Sequence, residues 1–371
     1  MKSNLVNALL VIINSLFFFA ANAQDSLHKD KKVVVSGMML ARYTSAFDKN
    51  IDINGKYHAV PGDYATSAFS LRRARVQAKS QITPRAEAAV LLNLTDFIGN
   101  PANKVLELAT IKYKFSDYLN LQVGQFRPYF GREDLYPEEL LQSLEWTNQY
   151  YAFGANGWQS FQLGATVFGS AKVANIPVKY YLGVFNGNGR NQLTDNDNGK
   201  LFPARVELGI RPKTKLGLNG GVGKSKGEKV WALNADIDHV AQLGGPWELE
   251  VQSEYKRGTN NSSFDTSAVD RKLMQNYMLS GYYVLPNLKY KMNSAHVKSL
   301  ELSTRYEFIN YDEKRDNCKK TTCMPMLSCQ LADEYFLRFE LGMIFDKYAE
   351  KNLAVPDHNA SRFVFQVQAR F

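Results

Sequence analysis

The sequence predicts an all-β fold, a transmembrane antiparallel β-barrel of 16 strands closed around a polar lumen. Segments of about 10 residues alternate polar and apolar side chains from Val33 to the end of the chain, and period 2 puts successive side chains on opposite faces of a sheet. Long connections alternate with short ones, as they must when hairpins are threaded through a membrane. Tyr and Phe bracket many segments, for example Tyr113 with Phe115, Phe126 with Tyr129, and Tyr306 with Phe308. Rings with an apolar body and a polar edge suit the headgroup level at either end of a spanning strand.

Taken in order, Lys2 precedes a largely apolar stretch from Leu5 to Ala21, and Ala21-Asn22-Ala23 is a small-residue cleavage site. Residues 1–23 therefore read as a secretory signal peptide, leaving 24–371 as a single barrel domain. Candidate strands follow near 33–42, 68–79, 85–95, 104–114, 118–127, 158–169, 176–186, 202–211, 215–222, 229–239, 246–257, 274–285, 297–308, 333–345 and 360–371. Fifteen is odd, and single-chain bacterial barrels have even counts, so the number is 16 with one missed or 14 with one too many. Sixteen strands of about 10 to 11 residues leave similar lengths for turns and loops, which favours 16. The final segment is the clearest: Phe363, Phe365, Val367, Ala369 and Phe371 share one face, opposed by Arg362, Gln366, Gln368 and Arg370, with Val364 the one exception. An aromatic last residue on an amphipathic strand resembles the assembly signal of outer-membrane barrels. The segment 309–332 reads as a long loop.

Composition narrows the alternatives. The 371 residues are 45% hydrophobic, 12% aromatic and 22% charged, with 25 Gly and 12 Pro, so neither disorder nor a collagen-like repeat fits. No apolar run of about 18 residues follows the N-terminus, which excludes a helical membrane bundle. No internal repeat divides the chain into sandwich-sized modules. The formal charge is +9 and the pI about 9.2. In an exported chain that charge points to lipids and small anions as partners, with no nucleic acid.

If apolar strand faces meet lipid, the opposite faces line the lumen and decide what passes. Arg73, Arg75, Gln77 and Lys79 project inward on one strand, a ladder of cations at every second or fourth position. Arg72 falls on the outward face by strict alternation, so it lies at the headgroup level or reaches the lumen through a bulge. Arg127 and Arg205 join the same positive, anion-binding set. Glu248, Glu250 and Glu254 share one strand face, Asp236 and Asp238 another, so the lumen is mixed in sign. That arrangement predicts a transverse field and modest selectivity rather than a filter of one sign.

Phe69-Ser70-Leu71-Arg72-Arg73-Ala74-Arg75, Val123-Gly124-Gln125-Phe126-Arg127-Pro128-Tyr129-Phe130-Gly131, Tyr181 to Gly189 and Pro203-Ala204-Arg205-Val206 together resemble the phosphate-selective porin O and P family. The resemblance covers essentially the whole exported chain. It implies a 16-stranded, homotrimeric outer-membrane porin for small anions such as phosphate, with its third loop, here Gly131 to Gly157, folded inward as the constriction. It also implies that Arg72 and Arg73 match paired arginines near that constriction. Arg132 to Glu139 is acidic and has no Lys, where specialised members carry a lysine; this departure argues against strict phosphate selectivity.

The remaining signals are weaker. Cys318, Cys323 and Cys329 fall within the assigned loop 309–332, which predicts unpaired thiols or a stapling disulfide with three possible pairings. Asp195-Asn196-Asp197-Asn198-Gly199 lacks the spacing of a calcium loop and reads as turn chemistry. No metal or cofactor is expected. His28, His58, His239, His296 and His358 are isolated from any candidate Ser nucleophile, which argues against a lipid hydrolase. A non-conducting barrel with a structural or adhesion role is the other reading.

Overall fold

A computed structural model of the protein describes residues 32–60, 62, 64–97, 105–192, 194–266, 273–314, 318–349 and 358–371. The predicted signal peptide lies outside the described residues. The strands are β1 (Val33–Ala46), β2 (Ser67–Thr83), β3 (Ala86–Asn93), β4 (Leu106–Lys114), β5 (Asn120–Phe126), β6 (Gln162–Val173), β7 (Ile176–Phe185) and β8 (Leu201–Arg211). They continue as β9 (Thr214–Ser225), β10 (Glu228–Gly244), β11 (Trp247–Thr259), β12 (Met278–Lys291), β13 (Ser299–Asn310), β14 (Lys319–Gln330), β15 (Leu337–Tyr348) and β16 (Ala360–Arg370). Each pairs antiparallel with its sequence neighbours, and β1 with β16 closes the barrel.

Burial along a strand runs opposite to that of a soluble protein. In β13, Leu300, Leu302 and Tyr306 are exposed on the outside while Ser299, Glu301, Ser303, Arg305 and Glu307 are buried. An apolar exterior with a polar interior is what a lipid solvent selects, and closure leaves no unpaired sheet edge in the hydrocarbon. At the seam the Gly37 N–H donates to the Phe371 carbonyl at 2.8 Å and the Phe371 N–H to the Gly37 carbonyl at 3.1 Å. The Phe371 ring lies 2.1 Å from where a Gly37 Cβ would stand, so the closing aromatic rests directly over the glycine and would have to swing aside for any larger residue.

The strand missing from the sequence reading is β14, inside the segment taken for a loop at 309–332. Two properties hid it. Pro325 sits mid-strand, where proline ordinarily argues against a strand, and the inward Met324 and Met326 are apolar because they pack under Leu144. The stapling disulfide is corrected with it. Cys323 and Cys329 lie six positions apart on one strand, about 20 Å at the usual rise, beyond disulfide reach; no disulfide forms among the described residues.

Pro325 is opposite Thr304 of β13, and the register places Pro286 of β12 opposite the other side of the same Thr304. Pairing of β12 with β13 is interrupted between Val284 and Asn287, and pairing of β14 with β15 between Cys323 and Met326. A proline has no N–H to give to the ladder.

The 127–161 connection between β5 and β6 turns into the lumen. It carries α1 (Arg132–Leu135) and α2 (Asn148–Ala155), the latter capped by Thr147, whose Oγ1 accepts from the Tyr150 N–H at 3.0 Å. Phe130, Phe153 and Trp158 of this loop pack with Leu201, Val230, Ala232, Met274 and Leu279, and Leu144 packs with Met324, Met326, Ile344 and Val364. The apolar patches on an otherwise polar inner wall are thus the seats of the loop.

Candidate functional site

Arginines of the wall hold the loop by its backbone. Arg42 Nη2 donates to the Leu144 carbonyl at 2.6 Å, Arg305 Nη2 to that of Trp146 at 3.2 Å, and Arg338 Nη1 to that of Leu141 at 2.7 Å. Arg127 works from within, donating to the carbonyls of Glu133 (3.1 Å) and Tyr136 (2.9 Å) with its guanidinium over the Trp146 and Phe161 rings. Gly131 lets the loop press on the β11 wall, since a Cβ there would stand 2.4 Å from Glu254 Oε1. That oxygen accepts from the Arg132 N–H at 3.0 Å.

Arg72 is the extra residue of a β-bulge: Leu40 pairs with Arg73 and Ala41 with Leu71. Of the two sequence alternatives the bulge is realised, and it turns Arg72 inward, where a bulge commonly re-aims a side chain. Its Nη2 is 2.9 Å from Glu145 Oε1, and Arg42 bonds the same carboxylate. Arg73 Nε meets Glu138 Oε1 at 2.5 Å, and Arg75 Nη1 meets Glu138 Oε2 at 2.6 Å, with Glu107 as a second partner of Arg75. Further along the barrel, Asp346 lies 3.0 Å from Lys320 Nζ and 2.7 Å from Arg362 Nη2. In these clusters one carboxylate serves two cations.

Under the loop the proportion is reversed. Lys256 Nζ lies 2.9 Å from Glu254 and 3.5 Å from Glu133. Arg132 Nη2 is 3.0 Å from Asp238 and 3.6 Å from Glu250, and Arg205 contacts Asp236 at 2.5 Å and Glu207 at 3.5 Å. Here one cation serves two carboxylates, and each of the three cations is buried.

Two adjoining chambers remain between the loop and the wall. The larger, about 790 Å³, is lined by Arg42, Lys56, Arg72, Arg73, Lys320 and Arg362 against Asp96, Glu145 and Asp346. The smaller, about 300 Å³, is lined by Arg73, Arg75, Arg127 and Arg190 against Asp96, Glu107 and Glu138. Arg73, Asp96 and Tyr151 line both, so they mark the junction. In the loop, which is not a spanning segment, burial raises the Glu145 carboxyl, but Arg42, Arg72 and Arg73 overcome this and hold it well below the usual carboxylate range. It stays charged wherever the arginines do.

Four of the residues expected from sequence therefore come together: Arg72 and Arg73 at the large chamber, and Arg73, Arg75 and Arg127 at the small one. Lys79 pairs with Glu87 at 2.7 Å and borders neither chamber. Arg205 is buried against Asp236 and borders neither. Arg42, Arg190, Lys320 and Arg362 were not singled out in the sequence. Arg42 and Arg362 sit on inward strand positions and were legible by alternation; Lys320 was hidden with β14, and Arg190 reaches the lumen from the β7–β8 loop, 2.9 Å from Asp96.

The family description "Phosphate-selective porin O and P" matches residues 49–266. No curated protein matches the chain. Among solved structures, the outer membrane channel DcaP of Acinetobacter baumannii superposes with a TM-score of 0.60 at 11% identity, covering 92% of this chain and 97% of that one. The anion-selective porin from Comamonas acidovorans gives 0.58 at 10% identity, covering 92% and 100%. The trimer form of OmpT from Vibrio cholerae gives 0.55 at 10% identity, covering 92% and 100%. At such identities the likeness is one of fold.

Proposed function

The chain belongs to the phosphate-selective porin O and P family, and on that premise we propose that this outer-membrane porin passes small anions, phosphate among them, by passive diffusion. The observation that carries the reading is the sharing of Glu145 and Asp346, each between two cations, along the larger chamber. A surplus of fixed positive charge facing water concentrates anions and admits them without a tight site that would halt flux. Arg72, Arg73, Arg75 and Arg127 form the path. Residues 1–23 act as the export signal and 24–371 as the single barrel domain. The porin performs no catalysis and needs no cofactor. Its partners are outer-membrane lipids and two further copies of itself, a homotrimer supported by the trimer form in which OmpT was solved.

The test is the reversal potential of the purified porin in a planar bilayer under a chloride gradient, repeated with phosphate added. Anion preference is expected, with phosphate reducing chloride current at millimolar levels. Absence of channels would sink the conduction reading, and cation preference would sink the anion reading alone.

A further inference from the structure

We infer that the larger chamber is a binding site for anions carried on a hydroxylated ring, the chemical class of sugar phosphates, with Tyr151 as the platform for the ring. This rests on the anion reading above and narrows it. The chamber measures about 790 Å³, within the roughly 300–1,000 Å³ that organic ligands occupy and far more than an inorganic anion fills. Its lining is mixed. Arg72 and Arg73 suit an acidic group, while the Asp96 and Glu145 carboxylates and the Ser70 hydroxyl can accept from a solute's hydroxyls. The carboxylates reward a solute that brings O–H donors beside its charge, and a sugar ring offers several spread over its edge where inorganic phosphate offers only its own acidic O–H groups.

Tyr151 supplies the third element. It is 48% exposed, whereas its neighbours on α2, Tyr150 and Phe153, are 6% and 0% exposed. It borders both chambers, so a solute crossing from one to the other passes the ring. A large aromatic left open to water beside two guanidinium groups gains when the apolar C–H face of a sugar ring covers it. An aromatic acid would also cover it, but would bring no O–H donors to the carboxylates and the Ser70 hydroxyl.

Current block in planar bilayers tests this on the intact porin, with glucose 6-phosphate, inorganic phosphate and benzoate compared in the same membrane. Glucose 6-phosphate is expected to half-block at a concentration about tenfold below that of phosphate and of benzoate. Tyr151→Ala should bring the ratio of glucose 6-phosphate to phosphate near one, and Tyr151→Phe should keep it. A ratio near one in the unaltered porin, benzoate as the strongest blocker, or a ratio unmoved in Tyr151→Ala would each overturn the inference. The reversal potential recorded in the same membranes separates these results from a failure of the anion reading, which would show as cation preference.

Discussion

On the β1–β2 wall and along the larger chamber, Glu145 lies between Arg42 and Arg72, and Asp346 between Lys320 and Arg362. Beneath the loop, Lys256 lies between Glu133 and Glu254, and Arg132 between Asp238 and Glu250. The two regions use the same residue types in inverse proportion. In the first region the groups border the chamber and Arg72 is open to its water, so surplus charge there is available to solutes. Where the loop covers them, the surplus is negative and tolerable only because loop donors, such as the Arg132 and Thr147 N–H groups, satisfy the extra oxygens. The formal charge of +9 therefore says less about permeation than where each carboxylate is spent.

The contrast can be broken most forcefully at Lys256, which is fully buried. Lys256→Met leaves two carboxylates facing each other, and breaking a buried pair costs about 3–5 kcal/mol. Expected is a fall of about 10 °C in the unfolding temperature, read by heat-dependent gel mobility; an unchanged value would show that the covered region does not depend on its single cations. Arg72→Gln, on a partly exposed pair, should cost under about 1 kcal/mol.

Selectivity should respond in the other region. Arg72→Gln combined with Arg362→Gln removes the surplus, and the anion-to-cation permeability ratio is expected to fall roughly threefold. Glu145→Gln frees a guanidinium and should move the reversal potential the opposite way, by roughly twofold in that ratio. Equal signs for these two variants would refute the sharing argument.

The smallest effect concerns acid. Burial pushes the Asp134 carboxyl up to about 7, against the lowering influence of Arg127 and Lys256. Its folded-state value lies above the ordinary 3.8, so its contribution is fully present in acid and lost as pH rises through about 7. Asp134→Asn should raise the unfolding temperature by a few degrees at about pH 8, and the gain should vanish below about pH 4. Glu145, held low by its arginines, should stay ionised from about pH 5 to pH 8, so the effect of Glu145→Gln on the reversal potential should be the same at both ends of that range.

Alternation made the barrel legible because each outward Leu or Phe has no choice in lipid, as Leu300 and Leu302 of β13 and Phe365 of β16 show. It failed at β14, where Pro325 and inward methionines blur both faces and only the seat for Leu144 explains them. The inward turn of Arg72 was one of two readings, and choosing between them needed the bulge. The separation of a basic β2 face from acidic β10 and β11 faces was legible as a transverse field, but the inverse proportion of cations to carboxylates in the two regions was not. It depends on which loop carboxylate meets which wall cation across more than 60 residues of chain, as Arg73 meets Glu138, and no local pattern encodes such pairings.

Pro286 of β12 and Pro325 of β14 interrupt the ladders along the two outer edges of the β13–β14 ribbon, one on each edge. A sheet stripped of a rung on both sides of the same two strands has a natural perforation. The ribbon can breathe as one unit while the remainder of the cylinder stays zipped, and its amide protons should exchange together and earlier than those of the β10–β12 staves.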